Sequence, residues 1–178
     1  MVKLYKNFNI NKNHKGSIIL IGNFDGVHLG HQKLFKLAQS FKKKYNLKIG
    51  VINFDPMPKM FFNQSLKNFR ISSINQKIDL LNKLGVDFIA TKKFDKIFSK
   101  TKSINFIKDI LYQKLNAKFI FVSNNFRFGN KREGNVNLLI KNEKKYNYKV
   151  VKPKPFIIKK KVISSTLIRN LLENGFLE

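Results

Sequence analysis

The residues best suited to chemistry sit in one turn, Gly22-Asn23-Phe24-Asp25-Gly26-Val27-His28-Leu29-Gly30-His31. It lies between an apolar run that suits a buried strand and a segment of helical periodicity. Backbone N–H groups and a helix start therefore face whatever binds there. Gly26 and Gly30 allow a phosphate to approach the backbone, and His28 and His31, three apart, can present two imidazoles to one anion. Nucleotidyl transfer at such a place builds negative charge on the α-phosphate and the leaving pyrophosphate. Donors set there beforehand stabilise the transition state more than the ground state. The turn lacks the Gly-Lys-Ser/Thr ending of a P-loop, which argues against a Walker-type NTPase. A metal centre is disfavoured because Asp25 is the only other obvious ligand nearby. The plain alternative is a strand-to-helix turn carrying two incidental histidines.

A second cluster, Ser164-Ser165-Thr166 with Arg169, lies far along the chain. Ser165 and Arg169 are four apart and share a helix face, and hydroxyls at a helix start favour anions. Its plain alternative is a helix cap beside a surface arginine. Arginine usage adds a pointer. Of 36 basic residues only Arg70, Arg127, Arg132 and Arg169 are arginine. Where lysine has displaced nearly every arginine, a survivor marks a place where a planar fork cannot give way to a point charge.

The elements that must position these groups alternate between strand and helix. Ser17–Ile21, Leu47–Phe54, Asp87–Ala90 and Ala117–Val122 read as strands, followed by strand-like Tyr148–Val151 and Phe156–Ile163. Helical spacing begins at His31, with Leu34, Leu37, Ala38 and Phe41 inward. A second helix, capped by Ser72 or Ser73, carries Ile74, Ile78, Leu81 and Leu84 and stops at Gly85. A third opens at Ser103 with Ile104, Ile107, Ile110, Leu111 and Leu115 inward, and a fourth covers Val136–Tyr146. The last runs from about Ser165 to Asn174, ahead of Gly175. This alternation predicts a single α/β domain, a Rossmann-like doubly wound parallel sheet of roughly five strands. Ligands in such folds gather beyond the carboxyl ends of the strands, so the loops after the first and fourth strands are the ones to examine.

The formal net charge of +26 would suit nucleic acid. Its lysines, however, are scattered along nearly every segment beside abundant Asn and Ile, with no Trp. That pattern reads as A- and T-rich codon usage and solvated lysine, not as a nucleic-acid site. Cysteine is absent, which excludes disulfides and thiolate metal sites. No apolar run approaches the ~20 residues of a membrane span. A cytoplasmic protein without a membrane partner is expected, and the residues set no oligomeric state.

The first turn closely resembles the GxFDGxHxGH signature of the flavin-adenylating branch of the HxGH nucleotidyltransferase superfamily. Further segments match in order. Phe54-Asp55-Pro56-Met57-Pro58 resembles the F-D/E-P-x-P loop, and Arg70 to Asp87, with Lys77, Leu81, Gly85 and Val86, the R-x-x-S…K…L…GVD stretch. Phe126-Arg127-Phe128-Gly129 with Arg132 and Gly134 resembles the V-G-x-D/N-F-x-F-G…R-x-G loop. Ile163-Ser164-Ser165-Thr166-Leu167-Ile168-Arg169 resembles I-S-S-T-x-I-R. Within the superfamily, the F-D-P-x-P and F-R-F-G segments argue against a cytidylyltransferase or a pantetheine-phosphate adenylyltransferase. An inactive module that binds flavin or nucleic acid is the other alternative.

The resemblance implies that residues 1–178 form an FMN adenylyltransferase domain without the riboflavin kinase module usual in the family. FMN and Mg·ATP would give FAD and pyrophosphate. It implies that the catalytic residues His28 and His31 bind and polarise the triphosphate, with Gly22, Asn23, Phe24, Asp25, Gly26 and Gly30 as binding residues around them. Ser164, Ser165, Thr166 and Arg169 would approach its β- and γ-phosphates. Asn125, at the family's Asp/Asn position, would orient ribose, phosphate or flavin, with Phe126 and Arg127 beside it. Ser123 departs from the family's usual glycine, where an added side chain could weaken binding or shift the loop. Phe54, Pro56, Pro58 and Phe62 are candidates for an apolar flavin slot, with plain core as the alternative. Three roles stay open for Asp25: holding the loop together, meeting the nucleotide amine, or meeting Mg²⁺. No protein ligand for Mg²⁺ is assigned.

Overall fold

Short apolar runs with no polar alternation can be buried only by covering both faces of a sheet. The computed structural model, which describes residues 1–66, 69–158 and 161–175, shows that arrangement. In chain order it contains β1 (Lys3–Tyr5), β2 (Ile18–Ile21), α1 (Leu29–Tyr45), β3 (Ile49–Asp55), α2 (Pro58–Phe62), α3 (Ile74–Lys83) and β4 (Phe88–Lys93). Next come α4 (Ser103–Asn105, continuing as a π-helix over Phe106–Lys114), β5 (Phe119–Phe121), β6 (Arg127–Phe128), β7 (Gly134–Asn135), α5 (Val136–Lys141) and α6 (Glu143–Tyr146). The chain then forms β8 (Lys149–Val151), β9 (Ile157–Ile158), β10 (Lys161–Val162) and α7 (Ser165–Glu173).

The main sheet is six-stranded, in the order β1-β4-β3-β2-β5-β8, and every pairing in it is parallel. From β2 the chain winds outward through β3 and β4, then returns to β5 and β8 on the other side. The carboxyl ends of β2 and β5 therefore flank the switch point. Alternate residues feed two cores. Ile18, Leu20, Ile49 and Val51 pack with Phe35, Ala38 and Leu81 beneath α1 and α3. Ile19, Ile21 and Ile52 pack with Ile107, Leu111 and Leu139 beneath α4 and α5. Gly50 is what allows β4 to lie so close, since a Cβ there would fall 2.1 Å from the Phe88 ring.

Several expectations need correction. The sheet has six strands, not about five, because Lys3–Tyr5 pairs along its edge. Three residues with Lys3 and Leu4 exposed leave no hydrophobic pattern to read. On α1 the deepest residues are Phe35 and Ala38, while Leu34, Leu37 and Phe41 are half-buried. Ile104, expected inward, is exposed at the first turn of its helix, and so is Ile74 on α3. The expected helix over Val136–Tyr146 divides at Asn142, whose side chain donates to the Leu138 carbonyl at 2.9 Å. Phe156–Ile163 gives an antiparallel β9–β10 hairpin instead of one strand. The second helix is capped by Ser73, which accepts from Gln76 N at 3.1 Å while Gln76 Oε1 accepts from Ser73 N at 2.9 Å.

Candidate active site

The turn after β2 is shaped by its glycines and by one inverted residue. Gly22 N donates to the Ile52 carbonyl at 3.1 Å, keeping the chain against β3 one step beyond the strand. Phe24 adopts a left-handed conformation (φ 48°) and drops its ring into the core, and Gly26 (φ 75°) turns the chain back. His28 then caps α1, its Nδ1 accepting from His31 N at 3.4 Å. The His28 and His31 rings stack at 3.6 Å between centroids, and Phe24 meets His31 edge-on at 5.2 Å. A Cβ on Gly30 would lie 3.1 Å from the Ile163 carbonyl oxygen, so this glycine lets the turn meet the segment leading into α7.

That approach joins the two distant clusters. Ser165 Oγ donates to the Asp25 carbonyl at 3.3 Å across 140 positions of sequence. Ser164 caps α7 by accepting from Leu167 N at 3.2 Å, and Thr166 is exposed. Arg169 bonds the Asp25 carboxylate at 2.7 Å and the Phe69 carbonyl at 2.9 Å, with its guanidinium 3.9 Å above the Phe69 ring. Asp25 also accepts from Ile71 N at 3.0 Å and Ser72 N at 3.1 Å, while Gly26 N donates to Ser72 Oγ at 3.2 Å. Of the roles left open for Asp25, it performs the first: it ties the turn to the α3 approach and to α7. Asp55, at the end of β3, pairs with Arg70.

Electrostatics follow from burial. For Asp25, burial alone pushes the carboxyl up, but the Ile71 and Ser72 N–H groups and Arg169 together hold it below its ordinary value. Burial, then the Arg169 charge, lowers His28. His31 is pushed down to about 3 by burial, then by His28, against the opposing pull of Asp25. Both rings are therefore neutral near pH 7. Since His28 Nδ1 is an acceptor, its neutral tautomer carries the proton on Nε2, which is free to donate. A depressed folded pKa means that the unfolded chain takes up the His31 proton first. The stability this group contributes is complete above about 6.5 and is lost as pH falls toward about 3. Urea unfolding at pH 7 and pH 5 should show a loss on the order of 1 kcal/mol, reduced in His31→Gln. An unchanged pH dependence in that variant would exclude the assignment.

A second feature lies along the same edge of the sheet. A cavity of about 480 Å³ is lined by Phe54, Pro58 and Phe62 from β3 and α2, and by Phe126, Arg127 and Phe128 after β5. Pro56, expected in this slot, does not line it. Phe94, Phe98 and Phe106 do, although the sequence reading did not place them there. Phe54 meets Phe94 at 6.0 Å and Phe98 at 5.6 Å, and Phe126 stacks on Phe128 at 5.4 Å. The signal available was a phenylalanine-rich stretch after the third predicted strand. Asn125 is exposed, its Oδ1 accepting from Ser123 Oγ at 2.9 Å, so the residue that departs from the family glycine contacts the next candidate.

Three buried polar atoms near the ends of β2 and β3 have no hydrogen-bond partner: Asn23 Oδ1, Asn53 Oδ1 and His31 Nδ1. Buried polar groups in folded proteins nearly always have a hydrogen-bond partner, so these three stand out. Asn53 was overlooked; its signal was a lone amide inside the apolar run Ile49–Phe54. Among the described residues no group of three His, Cys, Asp or Glu could cage a metal, and no helix is long and apolar enough to cross a membrane.

The FAD synthetase family model matches residues 10–167. The chain belongs to the FAD synthetase family. Two bifunctional riboflavin kinase/FMN adenylyltransferases of Buchnera aphidicola are similar to it. That of subspecies Schizaphis graminum is 44% identical over 168 residues, covering 93% of this chain and 54% of the relative. That of subspecies Acyrthosiphon pisum is 42% identical over 167 residues, covering 94% and 53%. The chain thus spans about half the length of the curated relatives it matches. A crystal structure of a macrolide-efflux protein from Streptococcus pneumoniae superposes with a TM-score of 0.82 and 25% identity, over 99% of this chain and 59% of that one. Family membership and the doubly wound sheet agree with what the motifs implied.

Proposed function

We propose that this member of the FAD synthetase family transfers the AMP part of ATP to the phosphate of FMN, giving FAD and pyrophosphate. An FMN phosphate oxygen attacks the α-phosphorus of ATP in line. The bond from that phosphorus to the bridging β-phosphate oxygen breaks, and pyrophosphate leaves with the electron pair. The attacking group is already anionic, so no general base and no covalent enzyme intermediate are needed. Neutral His28 donates from Nε2 to a phosphate oxygen, and His31 sits against it with an open Nδ1. Ser165 and the start of α7 close over the β- and γ-phosphates. Arg169 acts chiefly by fixing Asp25, and with it the turn. The aromatic cavity, which Arg127 lines, takes the isoalloxazine ring, and Asn125, two positions before Arg127, orients a polar group of the ligand. Mg²⁺, as part of the Mg·ATP substrate, would offset charge on the phosphates, and Asp25 and Asp55, already held by arginines, would not be its ligands.

One observation carries this reading: the histidine turn and the α7 start meet at the switch point, with Ser165 Oγ 3.3 Å from the Asp25 carbonyl. The assay is purified protein with Mg·ATP and FMN, products separated by chromatography. FAD and pyrophosphate are expected, and riboflavin in place of FMN should yield neither FMN nor FAD. No FAD above an enzyme-free blank would reject the assignment.

A further inference from the structure

Of the lysines whose side chains are described, Lys77 alone is buried, at 8% exposure. It lies one turn inside α3, its N–H bonded to the Ser73 carbonyl at 3.0 Å. The charges that act on its ammonium are Arg70, Asp25 and Asp55. Each of those carboxylates is already taken, Asp25 by Arg169 and Asp55 by Arg70. Among the described residues no carboxylate lies within 4.0 Å of the Lys77 ammonium. With His28 and His31 neutral, the cluster holds the cations Arg70, Arg169 and Lys77 against the anions Asp25 and Asp55. One positive charge is left without a counterpart, and Lys77 itself is buried, which is costly unless an anion joins it.

A second observation points the same way. Ile49 and Val51 face the α1/α3 core, so by strand alternation Asn53 faces that side too. It is 3% exposed, and its Oδ1 has no partner. A surplus cation and an unsatisfied amide thus share the carboxyl edge of the sheet, on the side of the histidine turn.

We propose that Lys77 is the internal receptor for a phosphate group of a bound ligand, with Asn53, on the same side of the sheet, meeting a polar group of that ligand. The proposal rests on the FMN- and ATP-binding reading above. The phosphate belongs either to FMN or to ATP, and ligands stripped of it tell the two apart. Burial, then Arg70, lowers the Lys77 pKa against the pull of Asp25 and Asp55, as expected where no anion is yet in place.

Binding of FMN, riboflavin, ATP and adenosine is measured for the wild-type chain, Lys77→Met and Lys77→Arg by flavin fluorescence and calorimetry. In Lys77→Met the phosphate-bearing ligand should lose roughly 10-fold or more in affinity, the order expected for a charge-assisted hydrogen bond. Its phosphate-free counterpart should stay within about two-fold, and Lys77→Arg should recover much of the loss. A preferential loss of FMN assigns the site to the flavin phosphate, and one of ATP to the nucleotide. Equal losses for ligands with and without phosphate would reduce Lys77 to a structural residue and overturn the proposal. Should Lys77→Met not fold, acylation of Lys77 in the wild-type chain, read by peptide mass spectrometry, gives the same answer. Protection by FMN or ATP but not by riboflavin or adenosine is expected, and no difference refutes it. A wild-type chain that binds both phosphate ligands yet makes no FAD would instead count against the proposed reaction.

Discussion

Replacing His28 by alanine is expected to lower the rate of FAD formation ~100-fold or more, the order found for losing one preorganised transition-state donor. The change removes the Nε2 donor directed at phosphate, the stacking partner of His31 at 3.6 Å, and the side chain that caps α1. Only the first is expected to act on the chemical step. His28→Asn separates them, because asparagine can cap a helix while lacking the ring. It should unfold close to the wild-type midpoint yet stay slow. Steady-state rates at saturating FMN and ATP, with urea unfolding on the same samples, make the comparison. Wild-type rates in His28→Ala would remove this residue from the mechanism.

The second large effect is structural as well as kinetic. Arg169→Ala should cost about 3 kcal/mol of stability, because it leaves a buried carboxylate without its counter-ion. Side-chain exposures of 15% for Arg169 and 6% for Asp25 place the pair inside the protein. Turnover should also fall by ~100-fold, since the tie from α7 to the histidine turn runs through it and a shift of about 1 Å in the reacting groups costs that much. The pH dependence carries a sign. Asp25 has a lowered folded pKa, so its contribution is present above the ordinary carboxylate range and lost as pH falls through the lowered value. Without Arg169 that pKa rises, and acid unfolding should begin at higher pH. Adding Asp25→Asn should restore part of the stability by removing the unpaired charge, without restoring turnover. Unfolding curves between pH 3 and 7 for both variants test this. A single variant as stable as the wild type would contradict the pairing.

Much of this arrangement was readable from the residues. Buried parallel strands such as Ile18–Ile21 announce themselves as unbroken apolar runs, and the glycine-spaced histidines mark a turn that must pass close to something. Arg169 was conspicuous because arginine is so scarce here, but its partner was not legible. Asp25 lies 144 positions away, and only the crossing of α7 over the turn brings them together. The aromatic cavity was half-visible for a similar reason. Phe54 and Phe62 belong to one segment, whereas Phe94, Phe98 and Phe106 come from the β4–α4 connection and the helix after it, which the sheet order brings alongside. Lys77 was hidden among 32 lysines, and burial, which no composition reveals, sets it apart. Lys3–Tyr5 was missed because an exposed three-residue edge strand needs no pattern beyond the parallel partner it finds in β4.

The most direct test follows the label from ATP. With FMN, Mg²⁺ and ATP labelled at the α-phosphorus, the label should appear in FAD in proportion to flavin consumed. With ATP labelled at the γ-phosphorus it should appear only in pyrophosphate. γ-Label carried into a flavin, or α-label that never leaves the adenine nucleotide pool while FMN is present, would contradict adenylyl transfer.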